Sequence, residues 1–597
     1  MSRGQARAVV AGYCALLTAI IIGPLAGSGY LLLRDAVSTP RSYLTDSALG
    51  LGAAAPRAVP QDALLAALSP VVDGGILVKA ILIVALWSAG YGAAALARRL
   101  VRAATGAQLV AATVALWNPF VAERLLQGHW SLLAGYAALP WTALAATRIR
   151  TASRRTGFSD NPDQGTTNRV ESFRRTGTLG GWAALTASFA AAGLTPTGSL
   201  LAAVIGLALV GRRALLPAAA LWIVTCAPWL TATALGSGTE PSDPAGVSAF
   251  AARAEPWLGT LGSLAGLGGI WNGEAVPASR TTPLALVGTL LLLGIVAFGV
   301  RAVWAERTGR TLLVIAAVAI VLPALGATSW GLAAGEWLVV HVPGAGLLRD
   351  TQKYVALAMP AYALCAAAAC RTVARAIRRP EAEGESKASV RWVAALFILL
   401  TTLPLADLAW GVGGALRPVH YPGGWHQVAD RIEAPGDIAV LPTGMFRRFP
   451  YSGTPPVLDP APRILPNDVL QTGELRVRGY AVTGEGNRAR TVEEALLRGA
   501  PATELATLGV GWILVERTTP GPLGASDRTL TTADLRYQDN DLALYRIPDP
   551  ATLDSATPTQ RRISAGAHLL WALLLTTALL TASRHPDPRS EAERPIR

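Results

Sequence analysis

The stretch "AVVAGYCALLTAIIIGPLAGSGYLLLRD", Ala8–Asp35, is an uncharged run that ends abruptly on Arg34-Asp35. About 20 apolar residues suffice to cross ~30 Å of bilayer hydrocarbon as a helix. Arg3 and Arg7 precede the run as in a signal peptide, but no small-residue cleavage site follows it. It therefore reads as a retained membrane anchor. The question it sets is why an acid stands where the chain leaves the membrane.

The pattern repeats outward from there. Of 597 residues, 51% are hydrophobic and 15% charged, a balance unlike that of several soluble domains in series. Further apolar runs lie near Gly75–Ala97, Gln108–Ala122, Trp130–Ala146, Leu179–Leu194, Ser199–Val210, Leu215–Leu235, Leu284–Val300, Thr311–Ala327, Val355–Cys370, Trp392–Val412 and Ile563–Ala582. With the first run extending to Leu33, they predict a polytopic α-helical membrane protein of about 12 transmembrane helices. The short pair around Pro196 and Gly198 counts as two crossings, although a re-entrant hairpin satisfies the same parity.

The net charge of +13 sits in short loops, at Arg98-Arg99-Arg102, Arg148 to Arg175, Arg212-Arg213, Arg301 to Arg310 and Arg371 to Arg391. That is the positive-inside pattern. It predicts a plasma-membrane protein with both termini cytoplasmic, and it gives no reason to invoke nucleic acid. Cys14, Cys226, Cys365 and Cys370 fall in or at the ends of apolar runs without CxxC spacing. Neither a disulfide framework nor a zinc site follows from them.

Four pieces result: a multi-span domain over 1–412 with outer loops, an extracytoplasmic domain over 413–562, a last span over 563–583 and a cytoplasmic tail over 584–597. Within 413–562, "GDIAVLP" (Gly436–Pro442), "GWILVE" (Gly511–Glu516) and "LALYRI" (Leu542–Ile547) read as buried strands bounded by turn residues. "TVEEALLRGA" and "ATELATLGV" between them read as short helices. A small α/β domain is expected, without a P-loop, a GxGxxG after a strand or a GxSxG. No cytoplasmic piece resembles a nucleotide-binding domain, so any substrate is handled on the outer side.

Three outer clusters carry ionisable groups. Asp35 opens a long loop with Arg41, Asp46, Arg57 and Asp62; its plain alternative is a solvated charge paired with Arg34. Glu123, Arg124, His129 and Trp130 follow the helix-ending Asn118-Pro119; here the alternative is an interfacial turn with its Trp among headgroups. Arg349, Asp350, Gln352 and Lys353 precede a late span. An outer basic pair runs against the positive-inside trend and suits a phosphate, which Arg grips with paired hydrogen bonds and Lys with a compact charge. Headgroup contact is the alternative there.

The segments "LLLRDAVSTPRSYLTDSALGLGAAAPRAVPQDAL", "ALWNPFVAERLLQGHWSLLAGYAALPW" and "PGAGLLRDTQKY" resemble actinobacterial membrane glycosyltransferases of the GT-C superfamily, in particular the arabinofuranosyltransferases of the cell envelope. The resemblance covers the membrane portion and rests on span order and these short motifs. It implies transfer of a sugar from a polyprenyl-phosphate donor to an envelope glycan or lipid acceptor at the outer face. It further implies an inverting single displacement with Asp35 as general base. Arg349, Lys353 and Arg41 are then the candidates for the donor phosphate. Asp46, Arg57, Asp62, Glu123, Arg124 and His129 are candidates for acceptor or supporting roles. No metal ligands stand out and no cofactor is required, although some relatives use a divalent ion such as Mg or Mn. A lipid or glycan transporter and an inactive membrane scaffold are the competing functions.

Overall fold

A computed structural model of the chain describes residues 2–52, 56, 58–155, 167–236, 243–377, 387–477, 479–484, 486–553 and 556–585. Among them, eight helices are long and apolar enough to cross a membrane: Arg3–Ala26, Gly74–Leu100, Thr105–Gln127, Leu284–Ala305, Arg307–Gly326, Thr351–Ala376, Ser389–Gly414 and Pro558–Arg584. A ninth arises if Arg212–Thr225 and Ala227–Leu235, bent by 61°, count as one. The chain is a polytopic membrane protein. The other expected spans, at 130–146, 179–194 and 199–210, fall on the helices Trp130–Arg155, Thr167–Ala192 and Pro196–Val210. Their apolar stretches are shorter or mixed with polar residues.

Two spans form the centre of the bundle. Thr105–Gln127 is 94% and Thr351–Ala376 89% buried by the rest of the protein, against 22–56% for the other six. Small residues permit this. Ala366 to Ala369 line the helix Met359–Ala376, and a Cβ on Gly299 of the neighbouring helix would stand 1.9 Å from the Cys365 carbonyl oxygen. Close backbone approach through small residues replaces the hydrophobic effect as the adhesive within lipid.

The first apolar run does not stay helical to its end. The helix Arg3–Ile22 passes into a 3₁₀ turn, Gly23–Ala26. Pro24 and the glycines at 23, 27 and 29 break it, because proline removes a donor and glycine adds backbone freedom. The last residues of the run become a strand, β1 (Tyr30–Leu33), which turns through Arg34-Asp35 into β2 (Ala36–Val37). β1 also pairs, antiparallel, with β3 (Pro418–Val419), so this small sheet has the order β2-β1-β3.

The remaining strands all follow β3 in sequence. β4 (Asp437–Leu441) is followed by β5 (Phe446–Arg447) pairing β6 (Val457–Leu458), β7 (Leu475–Val477) pairing β8 (Tyr480–Val482), and then β9 (Val510–Glu516), β10 (Asp534–Gln538) and β11 (Leu542–Arg546). Four of them form a sheet of order β10-β11-β9-β4, antiparallel except for β4 beside β9. The helices Asn487–Arg498 and Ala502–Thr507 lie between β8 and β9 in the chain, as a parallel pair needs a crossover. They pack Val492, Leu496 and Leu505 on one face of the sheet, against Leu441 and Ile513. Trp425 and Val428 of the helix Gly424–Arg431 cover the other face, at Val440, Trp512 and Leu544.

The β1–β2 hairpin joins the two bodies. Side chains alternate across a strand. Leu31, Leu33 and Ala36 enter the helical core, while Leu32 and Val37 enter the core shared with Trp425, Val457 and Trp512. A single short hairpin is thus buried on both faces, each face in a different core. Leu32→Ala is expected to cost about 2–5 kcal/mol, the usual price of truncating a buried leucine. The check is the thermal unfolding of the detergent-solubilised protein, followed by tryptophan fluorescence; an unchanged midpoint would contradict the hairpin's place in the second core.

Candidate active site at the hairpin tip

Leu33 pairs with Ala36, so Arg34 and Asp35 make a two-residue hairpin loop. Arg34 takes a φ of 47°, at the position where such loops usually hold glycine. A non-glycine residue there costs on the order of 1–3 kcal/mol unless its surroundings hold it. They do hold it. Arg34 donates from Nη1 to the Leu126 carbonyl (2.7 Å) and from Nη2 to the Glu274 carbonyl (2.6 Å), and its own carbonyl accepts from Leu458 N (2.8 Å). Its guanidinium is therefore spent on backbone carbonyls instead of neutralising Asp35.

The helix Pro119–Gln127 supplies most of the clamp. Asn118 caps it, accepting from Val121 N and donating to the Val114 carbonyl, and every one of its residues is buried. Its end reads Gln127-Gly128-His129. Asp35 N donates to the Gln127 carbonyl (3.1 Å). Gln127 Nε2 donates to Asp35 Oδ2 (3.1 Å), and His129 Nε2 lies 2.9 Å from the same oxygen. Asn272 Nδ2 in turn holds Gln127 Oε1 at 2.8 Å. Between them Gly128 ends the helix at φ 86°, where a Cβ would stand 2.3 Å from Ala36 N and 2.5 Å from the Leu33 carbonyl oxygen. Both the conformation and the contact demand glycine.

Behind His129 lies a buried network of charges. Arg124, 0% exposed at its side chain, donates to His129 Nδ1 (2.9 Å), to both Asp350 oxygens (2.9 and 3.2 Å) and to Gln352 Oε1. Lys353 Nζ lies 3.5 Å from Asp350 Oδ2. Gln352 donates onward to Glu123 Oε2 (3.1 Å), and Glu123 also accepts from Gly269 N and Ile270 N. Buried charges persist only when paired and hydrogen-bonded, and here each one is. Burial pushes the Asp35 carboxyl up, but His129, Gln127 and the Lys353 charge outweigh it and hold the group below its usual range. Asp350 is likewise lowered to about 2: burial is outweighed by Arg124 and Lys353. Burial lowers His129, further helped by Arg124 and Lys353 and opposed by its bond to Asp35.

Asp35, His129, Arg349 and Lys353 line one cleft of ≈ 1530 Å³. The Asp35 side chain is 28% exposed, and its Oδ1 has no hydrogen-bond partner among the described residues. Arg349 packs its guanidinium 5.7 Å from the Phe250 ring and donates to the Gly346 carbonyl. The turn at Thr195-Pro196-Thr197 also reaches the cleft, as do Arg448, Asp468, Arg488 and Glu493 on the sheet side.

The other candidates from sequence fall elsewhere or are engaged. Asp46 is held by both Nε and Nη2 of Arg561, each at 2.8 Å, and ties the first loop to the last helix. Asp62 lines the cleft but accepts from Arg463 Nε (3.1 Å). Arg41 is exposed over the Tyr43 ring at 4.7 Å and is not among the residues lining the cleft. Glu123 and Arg124 sit behind the cleft wall, and Arg57 lies outside the described residues. Trp130 is 4% exposed and packs in the helical core instead of facing headgroups. Gln127, Asn272 and Arg253 were not singled out from sequence. Gln127 had a signal in the glutamine and histidine that flank Gly128; a single lining arginine such as Arg253 had none.

Among the described residues no three His, Cys, Asp or Glu side chains gather as a metal site would require. The nearest carboxylates, Asp35 and Asp350, already accept from Gln127 and His129 and from Arg124. Such a donor set does not fit the oxygen cage of Mg or Mn, and no step is routed through one.

No protein-family profile matches the chain, and no characterised protein matches it in sequence. Its fold is similar to the cryo-EM structure of the arabinofuranosyltransferase AftD from Mycobacteria, with TM-score 0.50 and 15% identity over 92% of this chain. A mutant of that protein gives TM-score 0.49 over 93%. The chain spans 40% of the length of the first of these structures. The resemblance read from the sequence and the similarity of the folds thus agree.

Gly128→Ala is expected to destabilise the protein by more than about 1 kcal/mol, because alanine fits neither the positive φ nor the contact. A structure of the variant should show the Asp35 hairpin displaced; an unmoved hairpin at wild-type stability would contradict the clamp.

Proposed function

We propose that the protein is a membrane glycosyltransferase that moves a sugar from a polyprenyl-phosphate donor to an envelope glycan or lipid acceptor. One observation carries this reading: an ionised carboxylate with one oxygen gripped and the other open shares a cleft with Arg349 and Lys353. Asp35 Oδ1 takes the proton of an acceptor hydroxyl as that oxygen attacks the anomeric carbon. The bond from that carbon to the donor's phosphate oxygen breaks in the same displacement, which inverts the centre. Polyprenyl phosphate is a competent leaving group, so the protein's remaining task is to stabilise the charge developing on it. Arg349 and Lys353 are the cations for that task. Asp62, Asp468, Arg448 and Arg488 on the opposite wall suit the hydroxyls of an acceptor.

In the cell this reading sets the cleft at the outer face of the plasma membrane, with both termini cytoplasmic and 413–562 outside as an α/β domain. It carries the first outer loop and that domain as the two walls of the substrate cleft, with about 12 crossings in all. A transport path would need ionisable groups lining a route through the bundle. Glu123 and Arg124, the charges deepest in it, are instead 0% exposed and fully engaged, which favours catalysis.

Asp35→Asn keeps the two donors' geometry but cannot accept the proton. Turnover should fall about 10²–10⁴-fold, with donor affinity little changed. Arg349→Ala and Lys353→Ala should instead weaken donor binding and slow transfer as well. Single-turnover transfer and donor binding on the purified variants test this; a wild-type rate for Asp35→Asn would remove Asp35 as the base. The pH dependence has a definite sign. A base held below the ordinary carboxylate range stays ionised through pH 5, so the acid limb of transfer should lie below about pH 4.

A further inference from the structure

His129 touches two charged groups through its two ring nitrogens, and their chemistry fixes where its proton sits. Nδ1 is 2.9 Å from Arg124 Nη1, and Nε2 is 2.9 Å from Asp35 Oδ2. A guanidinium only donates. Nδ1 must therefore present a lone pair, and the ring proton lies on Nε2, directed at Asp35. Turning the ring over would set carbons against both partners and lose both bonds.

Arg124 cannot easily yield this position. Its side chain is 0% exposed, and it is held at the same time by both Asp350 oxygens and by Gln352. Gln352 is anchored in turn on Glu123 and the Gly268 carbonyl. Protonating Nδ1 would set one N–H against another and add a cation beside Arg124 and Lys353. The charged groups around the ring are Asp35 on the hairpin, Arg124 on the helix Pro119–Gln127, and Asp350 and Lys353 before the helix Met359–Ala376.

We propose that Arg124 locks His129 as the neutral Nε2–H tautomer, making His129 a positioning residue that holds Asp35 as an anion and leaves Oδ1 as the proton's landing site. This rests on Asp35 being the general base. The arrangement reverses the hydrolase triad, in which the carboxylate orients the histidine and the histidine takes the proton. Here the histidine orients the carboxylate and cannot take the proton, because its second nitrogen is occupied. The proton from the acceptor hydroxyl goes to Oδ1 and leaves from there to water in the cleft once the sugar has moved.

The test uses the full chain in lipid nanodiscs with ¹⁵N-labelled histidine. The His129 resonances, identified by their loss in His129→Gln, should report a protonated Nε2 and a bare Nδ1 at neutral pH. Kinetics supply the second arm. His129→Leu should lose about 10²-fold or more in kcat with donor KM little changed. His129→Gln, whose amide can donate to Asp35 and accept from Arg124, should recover most of that loss at similar stability. A Nδ1–H or doubly protonated ring at neutral pH overturns the lock. Wild-type turnover in His129→Leu overturns the positioning role. Wild-type turnover in Asp35→Asn with the Nε2–H tautomer intact overturns the general-base reading while supporting the lock.

Discussion

The alternation of side chains along one short hairpin organises this molecule. Leu31, Leu33 and Ala36 belong to the helical core and Leu32 and Val37 to the sheet's core, so the hairpin can neither slide nor flip. A one-residue slip in register would exchange the two faces and set every side chain in the wrong core. The loop at its tip inherits that rigidity. Arg34 can then occupy a glycine-like conformation, because its guanidinium and its carbonyl are both held by other elements. A catalytic group gains from standing on paired strands, where its position is set more finely than on a free loop.

A second constraint acts beneath the tip. The helix Pro119–Gln127 carries Glu123 and Arg124 into the interior, where each unpaired charge would cost several kcal/mol. The loop at 268–274 and the segment at 350–353 supply the partners, through Gly269 N, Ile270 N, Asp350 and Gln352. Three chain segments far apart in sequence are thereby fixed to one another by charge satisfaction. Removing any one partner leaves a buried charge uncompensated, so the network acts as a unit. The sheet-bearing segment joins the same assembly at its edge: Val477 and Val482 pack with Ile270 and Trp271, and Thr483 N donates to Asp243 Oδ2.

Much of this was legible in the sequence, for identifiable reasons. Uncharged runs must be helical in a bilayer, so the long spans announced themselves. The three apolar segments near 437, 511 and 542 all became strands of one sheet, since short β-branched runs bounded by Gly and Pro have few other options. Asp35 stood out because an acid ended an apolar run. The same run misled at its end: Leu31, Leu32 and Leu33 are as apolar as a helix requires, and only the glycines before them mark the change to a strand. Asp46 and Asp62 looked open because Arg561 and Arg463 lie hundreds of residues away. Composition could not reveal that those arginines would claim them.

The two cations of the cleft are held in different ways, and the difference bears on what each can do. Arg349 is braced by its Phe250 contact and by its bond to the Gly346 carbonyl, so its planar fork is presented in a fixed direction. That suits bidentate recognition of phosphate oxygens before reaction. Lys353 is held only by Asp350 at 3.5 Å, beyond hydrogen-bond length, and Asp350 is already satisfied by Arg124. Its flexible stem and compact charge are free to follow a phosphate oxygen as its charge grows. The fixed arginine thus fits the ground state and the mobile lysine the transition state. Interactions stronger in the transition state are the ones that raise turnover. By that logic the loss of Lys353 falls more on kcat and the loss of Arg349 more on donor affinity.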